Sequence, residues 1–214
     1  MKRIYCLPYA SLILAGAALL VAIWPSVTLR LQYDRLYIAT GELWRFLTSH
    51  WTHVSGDHLF WDVLLFVVLG ALCESNSRVR YAVCIAGAAV LIPLMLWVAF
   101  PDLQTYRGLS GIDSALFALL ATVLLQQEWR AQRWEWVVPL AVICLAFFAK
   151  VGYEWATGHT IFVDSRAGDM IPVPLAHGVG AGVGVVVGLV RFPKMPACLY
   201  TSLRTFRHTT CPES

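Results

Sequence analysis

Charge is what this chain has least of. Only 14% of its 214 residues are Asp, Glu, Lys or Arg, against about 25% in an ordinary soluble domain. That deficit excludes a soluble globular protein. With a net charge of only +3, it also gives no reason to invoke a nucleic-acid partner. Other things are missing too. No His-Glu-x-x-His occurs, so the commonest zinc-protease site is excluded. There is no internal repeat, no low-complexity stretch and no second domain. Nor are there paired halves with broken helices of the kind transporters carry. Cysteine is absent from every segment read below as external: Cys6, Cys73, Cys84, Cys198 and Cys211 fall at or near one side of the membrane and Cys144 within a span. No disulfide framework is implied.

What is present is apolar. Hydrophobic residues make up 58% of the chain and the mean hydropathy is +0.65. About 20 apolar residues cross a bilayer, and six runs approach that length: 7–27, 58–73, 81–100, 109–126, 136–151 and 171–190. The second and fifth are short and are read as tilted or extended by their neighbours. The expected fold class is therefore an all-α membrane protein, a bundle of six transmembrane helices over residues 1–192. A short basic tail, 193–214, follows it. Lys2 and Arg3 before the first run resemble a signal peptide, but Ala15-Gly16-Ala17 falls inside the run, so an uncleaved span is expected.

Orientation follows from the basic residues. Lys2, Arg3, Arg78, Arg80, Arg130, Arg133, Arg191, Lys194, Arg204 and Arg207 collect on one side; Arg30, Arg35, Arg45, Arg107, Lys150 and Arg166 are spread over the loops of the other. Both termini are expected in the cytoplasm, with loops 30–57, 101–108 and 152–170 on the far face.

Chemistry concentrates toward that far face. The first external loop carries Glu42, Trp44, Arg45, His50, Trp51, His53, Asp57 and His58. An interfacial aromatic belt with snorkelling histidines is one reading. His58 and Asp62, four apart, share a helix face about one turn into the span, where a charge must face a partner or water. His50, His53, Asp57 and His58 are expected to line a wet cavity near the outer face. Gly108-Leu109-Ser110-Gly111 opens the fourth run. Ser110 with Asp113 has the pattern of a capping box. Alternatively, Gly108 and Gly111 let a substrate approach the backbone, and the free N–H groups of the helix start stabilise an oxyanion. In the last run His177 is followed by Gly180, Gly184 and Gly188, a small-residue stripe for close helix packing. If the neighbour is the helix starting at Ser110, the imidazole can take the serine proton, without which serine is a poor nucleophile.

Together these motifs resemble the rhomboid intramembrane serine proteases of the minimal six-span type. Trp44-Arg45 matches the family's Trp-Arg. His53, His58 and Asp62 match its His-x4-His-x3-Asn, with aspartate replacing asparagine. Gly70 to Glu74 is similar to its Gly-x-x-x-Glu. Gly108 to Gly111 matches Gly-x-Ser-Gly, and Ala176-His177 through Gly184 matches Ala-His-x-x-Gly-x-x-x-Gly. The resemblance implies Ser110 as nucleophile and His177 as general base, a dyad without a third carboxylate. His58 and Asp62 with the Ser110 amide would bind the oxyanion, with His53 in support. Asp62 would either donate as a neutral acid or pair with protonated His58 and orient it. Ser114 stands where many rhomboids place a tyrosine against the histidine, so Phe117 or close backbone packing would position His177.

The short length, Gly-Leu-Ser-Gly and Asp62 also resemble the rhombosortase branch, thought to process proteins with a C-terminal Gly-Gly signal, apolar span and basic tail. The implied partner is a transmembrane protein substrate in the lipid bilayer, cleaved near the periplasmic face of a bacterial inner membrane. No metal and no cofactor is implied. Two other readings remain: a non-catalytic rhomboid-like binding protein, and a cofactor-binding membrane protein, with haem held by His58 and His177 as axial ligands or a metal ion by His53, His58 and Asp62.

Overall fold

The computed structural model describes residues 7–158 and 173–190. In chain order these form α1 (Tyr9–Ile23), α2 (Pro25–Leu31), β1 (Tyr33–Asp34), α3 (Arg35–Ala39), α4 (Trp44–Thr48), a 3-10 turn (Ser49–Trp51), α5 (Gly56–Asn76), α6 (Arg78–Ala99), β2 (Thr105–Tyr106), α7 (Ser110–Arg130), α8 (Trp134–Thr157) and α9 (Pro174–Leu189). The class is all-α, with one two-residue antiparallel pairing, Tyr33 with Tyr106 and Asp34 with Thr105. That pairing ties the first long loop to the segment leading into Ser110. The expected tail 193–214 lies outside the described residues.

Four helices, α5 to α8, are long and apolar enough to cross a membrane. The run expected as a first span, 7–27, is instead broken: α1 and α2 meet at 117°. The cause is local. Trp24 precedes Pro25, which forces it to an extended backbone (φ −117°, ψ 101°) and then starts α2 as its first residue. Counted as one, the bent pair makes a fifth candidate. α9 has 16 residues, about 24 Å of helix, short of the hydrocarbon thickness of about 30 Å.

α7 is the axis of the bundle. Buried residues fill 56% of its apolar window, against 6% for α8, so α8 is the peripheral helix. The core runs along α7 through Ile112, Ala115, Leu116 and Leu119, all 2% exposed or less. α9 lies against it backbone to backbone. A side-chain carbon on Gly180 would overlap the Gly111 carbonyl, one on Gly184 the Ala115 carbonyl, and one on Gly188 would sit 2.8 Å from Thr122 Cβ. Any residue but glycine at 180 or 184 pushes the two helices apart.

Opposite the Ser110 end, α5 holds α1. Glu74 accepts from the Ser11 amide (2.9 Å), the Ser11 hydroxyl (2.8 Å) and the Ala10 amide (3.2 Å), filling the role of a cap for the start of α1. Gly70 leaves room for this, since a Cβ there would lie 2.8 Å from Ser11 Oγ. Arg45 closes the first loop. Its guanidinium binds Glu42 (2.6 Å) and the carbonyls of Leu29 (2.8 Å) and Gln32 (3.1 Å), so it caps the end of α2.

Candidate active site

Ser110 is the first residue of α7, but it does not cap that helix. No side-chain cap bond forms there, and both carboxylate oxygens of Asp113 are buried without a partner. The capping-box pattern is thus present in sequence and unmade in structure. The cap comes from another helix. Asp62 Oδ2, on α5, accepts from the amides of Leu109 (2.8 Å) and Ser110 (3.2 Å). The same oxygen lies 3.3 Å from His53 Nε2 and 3.2 Å from His58 Nε2. Two amide N–H groups and two imidazole nitrogens therefore converge on one oxygen of a residue that is 4% exposed. The two amides donate to it, and an ionised carboxylate would be acceptor-only.

The loop that carries the cap is tightly set. Gly108 has φ +121°, and a Cβ there would lie 2.8 Å from His58 Cε1, so glycine is needed both for the backbone and for the imidazole. The Gly108 amide binds the Ser49 carbonyl at 3.3 Å. Burial, with the Asp62 and Asp113 carboxylates nearby, raises the pKa of Tyr106 well above the phenol range; its hydroxyl donates to the Gly108 carbonyl at 3.4 Å. Gly111 has a different use from the one expected. A Cβ there would lie 2.8 Å from Ile92 Cδ1 and 3.2 Å from the Ala176 carbonyl, so the missing side chain admits α6 and α9, not a substrate.

That contact sets the catalytic candidates. Gly111 abuts Ala176, and their chain neighbours are Ser110 and His177. Among the described residues no hydrogen bond joins the Ser110 hydroxyl to the imidazole; such bonds are often long until substrate binds. The imidazole is engaged on its other side. His177 Nδ1 lies 3.1 Å from Glu154 Oε2, and the second oxygen of Glu154 receives the Lys150 ammonium at 2.9 Å. Glu154 is 2% exposed. The resemblance implied a histidine with no carboxylate behind it; here one stands at bonding distance.

Glu154 escapes the sequence reading because the fifth apolar run ends at residue 151, which places it in a loop. The helix continues to Thr157 and stops at Gly158 in the left-handed region (φ 68°). Lys150 and Glu154, spaced i,i+4 at the end of an apolar run, are the signal that could have found it. Two other expected roles are reassigned. Phe117, expected as a support for His177, pairs with the Phe147 ring at 4.7 Å and so packs α7 on α8; the Ser114 hydroxyl donates to the Ser110 carbonyl within α7 at 2.8 Å. His50, expected at a wet cavity, is wholly buried with Nε2 3.1 Å from the Ala89 carbonyl. Burial lowers its pKa to about 4, so near neutral pH it is an uncharged strut onto α6. Asp57, by contrast, is exposed.

A haem does not fit His58, whose Nε2 faces Asp62 and whose Nδ1 is buried. Among the described residues no group of three or more His, Cys, Asp or Glu is arranged to hold a metal ion.

A family model described as Rhomboid domain matches residues 40–194, and no curated protein matches the chain.

Proposed function

The chain belongs to the rhomboid family, a family of intramembrane serine proteases acting on transmembrane substrates, and from that premise we propose that it is an active serine endopeptidase with Ser110 as nucleophile and His177 as general base. The observation that carries the reading is the seating of α9 on α7. Glycine-only contacts at Gly111, Gly180 and Gly184 bring the two helices to backbone distance, next to both residues. With Nδ1 turned to a carboxylate, Nε2 is the nitrogen left to accept the Ser110 proton as Oγ attacks the substrate carbonyl. That proton then passes to the departing amine.

In this reading Asp62 orients rather than donates. It holds the His53 and His58 rings and the Ser110 turn in one cluster, and His58 with the Ser110 amide offers hydrogen bonds to the oxyanion once Asp62 shares them. The membrane topology that goes with it is six spans, both termini cytoplasmic and the site toward the periplasm of a bacterial inner membrane, in support of which stand the basic-residue bias and α9 as a sixth apolar helix. For substrate class we favour rhombosortase-type processing of C-terminal Gly-Gly, apolar-span, basic-tail signals, on the resemblance of Gly-Leu-Ser-Gly and Asp62.

One observation favours a second reading. The Ser110 amide is already occupied by Asp62 Oδ2, as would suit a rhomboid-like protein that binds without cleaving. Labelling of the purified protein with a fluorescent fluorophosphonate separates the two. The catalytic reading expects labelling of wild type and none of Ser110→Ala or His177→Ala. A folded wild type that takes no label, or a Ser110→Ala variant labelled like wild type, overturns it.

A further inference from the structure

Glu154 is a buried carboxylate, 2% exposed, that the proposed mechanism leaves without a task and that stands at bonding distance from the proposed base. We propose that Glu154, anchored by Lys150, is a positioning residue for His177, so that the chain carries a Ser110–His177–Glu154 triad in place of a dyad. The inference rests on the reading of Ser110 and His177 as the catalytic pair.

The geometry is specific. Glu154 Oε2 meets Nδ1 of His177 at 3.1 Å and Oε1 meets Lys150 at 2.9 Å, so each oxygen has a separate donor. A carboxylate can only accept, which places the proton on Nδ1 and the lone pair on Nε2. The ring is thereby fixed in the tautomer a general base needs. When Ser110 Oγ bonds to the substrate carbonyl carbon, its proton moves to Nε2 and the imidazolium forms beside an anion already in place. Glu154 keeps its charge throughout and takes no proton. The proton leaves Nε2 for the amine as the peptide C–N bond breaks.

The location explains why a carboxylate belongs here. The tyrosine position that would pack on the histidine is Ser114, whose hydroxyl is bound within its own helix. Phe117 is paired with Phe147. Neither holds the ring. Glu154 reaches it from α8, the most peripheral helix, and Lys150 lies one turn back on the same face. Lys150 is 23% exposed by side chain while Glu154 is 2%, so the pair leads from the lipid or water boundary inward to the imidazole.

The test is the rate of fluorophosphonate labelling as a function of reagent concentration, with detergent-solubilised full chain. Glu154→Gln keeps the shape and removes the charge. Its limiting labelling rate is expected to fall by up to about 10⁴-fold, the loss seen when the orienting acid of a serine protease is replaced by its amide, with the half-saturating concentration within about two-fold. Lys150→Met keeps the carboxylate on Nδ1 and is expected to lose only a few-fold. A merely structural ion pair predicts equal effects of the two changes. Should Glu154→Gln fail to fold with the ammonium unpaired, the double variant Lys150→Met/Glu154→Gln, with no charge left, is read by the same criterion.

Wild-type rates in the Glu154→Gln or double variant overturn the triad, as do equal losses in Glu154→Gln and Lys150→Met. If Ser110→Ala still labels, the fault lies with the catalytic pair itself. If Ser110→Ala is silent while Glu154→Gln labels like wild type, only the triad is wrong.

Discussion

Asp62 and Glu74 sit on the same helix, α5, and are equally buried, 4% and 5% exposed. Their surroundings make them opposites. Glu74 binds two amides and a hydroxyl at the start of α1, groups that do not change charge between pH 4 and 9. It fastens one helix to another. Asp62 also binds two amides, but its other two neighbours are imidazoles, and its amides are those of Leu109 and of Ser110, the residue proposed as nucleophile. Burial of a carboxylate therefore says little about its use. The donors around it decide.

Substitution should separate the two carboxylates. The largest effect is expected for Asp62→Ala, which frees both imidazoles and the Ser110 turn. Fluorophosphonate labelling per folded molecule should drop by about 10²- to 10³-fold, with a fall in unfolding temperature comparable to that of Glu74→Ala. Asp62→Asn keeps one acceptor oxygen and should fall between. If both variants label at the wild-type rate, Asp62 is as structural as Glu74 and the contrast is broken.

His50 gives the next effect, on stability. Its pKa of about 4 lies below the ordinary 6.5, so the unfolded chain binds a proton that the folded chain refuses. Stability is then full above pH 6.5 and declines as pH falls toward 4, by about 3 kcal/mol at the end of that window. His50→Gln retains a donor for the Ala89 carbonyl and removes the titration. Thermal unfolding at pH 7 and 4.5 should show wild type losing more than the variant; parallel losses count against a neutral strut.

Glu74→Ala should come third. It orphans buried donors at about 1–3 kcal/mol, roughly 2–12 °C in unfolding temperature for a chain of this size, while the labelling rate per folded molecule stays at the wild-type value. A fall in that rate would erase the distinction from the other side. Ser11→Ala, which removes the hydroxyl between Glu74 and Tyr81 (2.8 and 2.9 Å), should be smallest at about 1 kcal/mol.

Much of this was legible in sequence where a period or a spacing carried it. The glycine stripe at 180, 184 and 188 announced a close neighbour, because three small residues at i+4 intervals have few other uses. The i,i+4 spacing of His58 and Asp62 placed them on one face. What was hidden depended on distant partners. Nothing near Ser110 in the chain says that its helix is capped from α5, and the local capping-box residue Asp113 pointed elsewhere. The fifth run looked finished at residue 151 because Gly152, Tyr153 and Glu154 weaken the apolar signal. Packing on α7 and α9 carries the helix through them. The first span was over-read for the opposite reason: an unbroken apolar composition concealed the break that Trp24-Pro25 makes in the backbone.

The close seating of α9 on α7 has a consequence in time as well as in space. Residues 110 and 177 are joined by a long stretch of chain, and α9 is synthesised after every other helix described. Until it docks, Ser110 has no base beside it, and the groove along α7 lies open to whatever else is in the membrane. A nascent chain therefore carries the proposed nucleophile without its proposed base while residues 111 to 177 are being made. The step that completes the bundle also completes the site, so a copy that stalls before α9 would be a protein without the power to cut its neighbours.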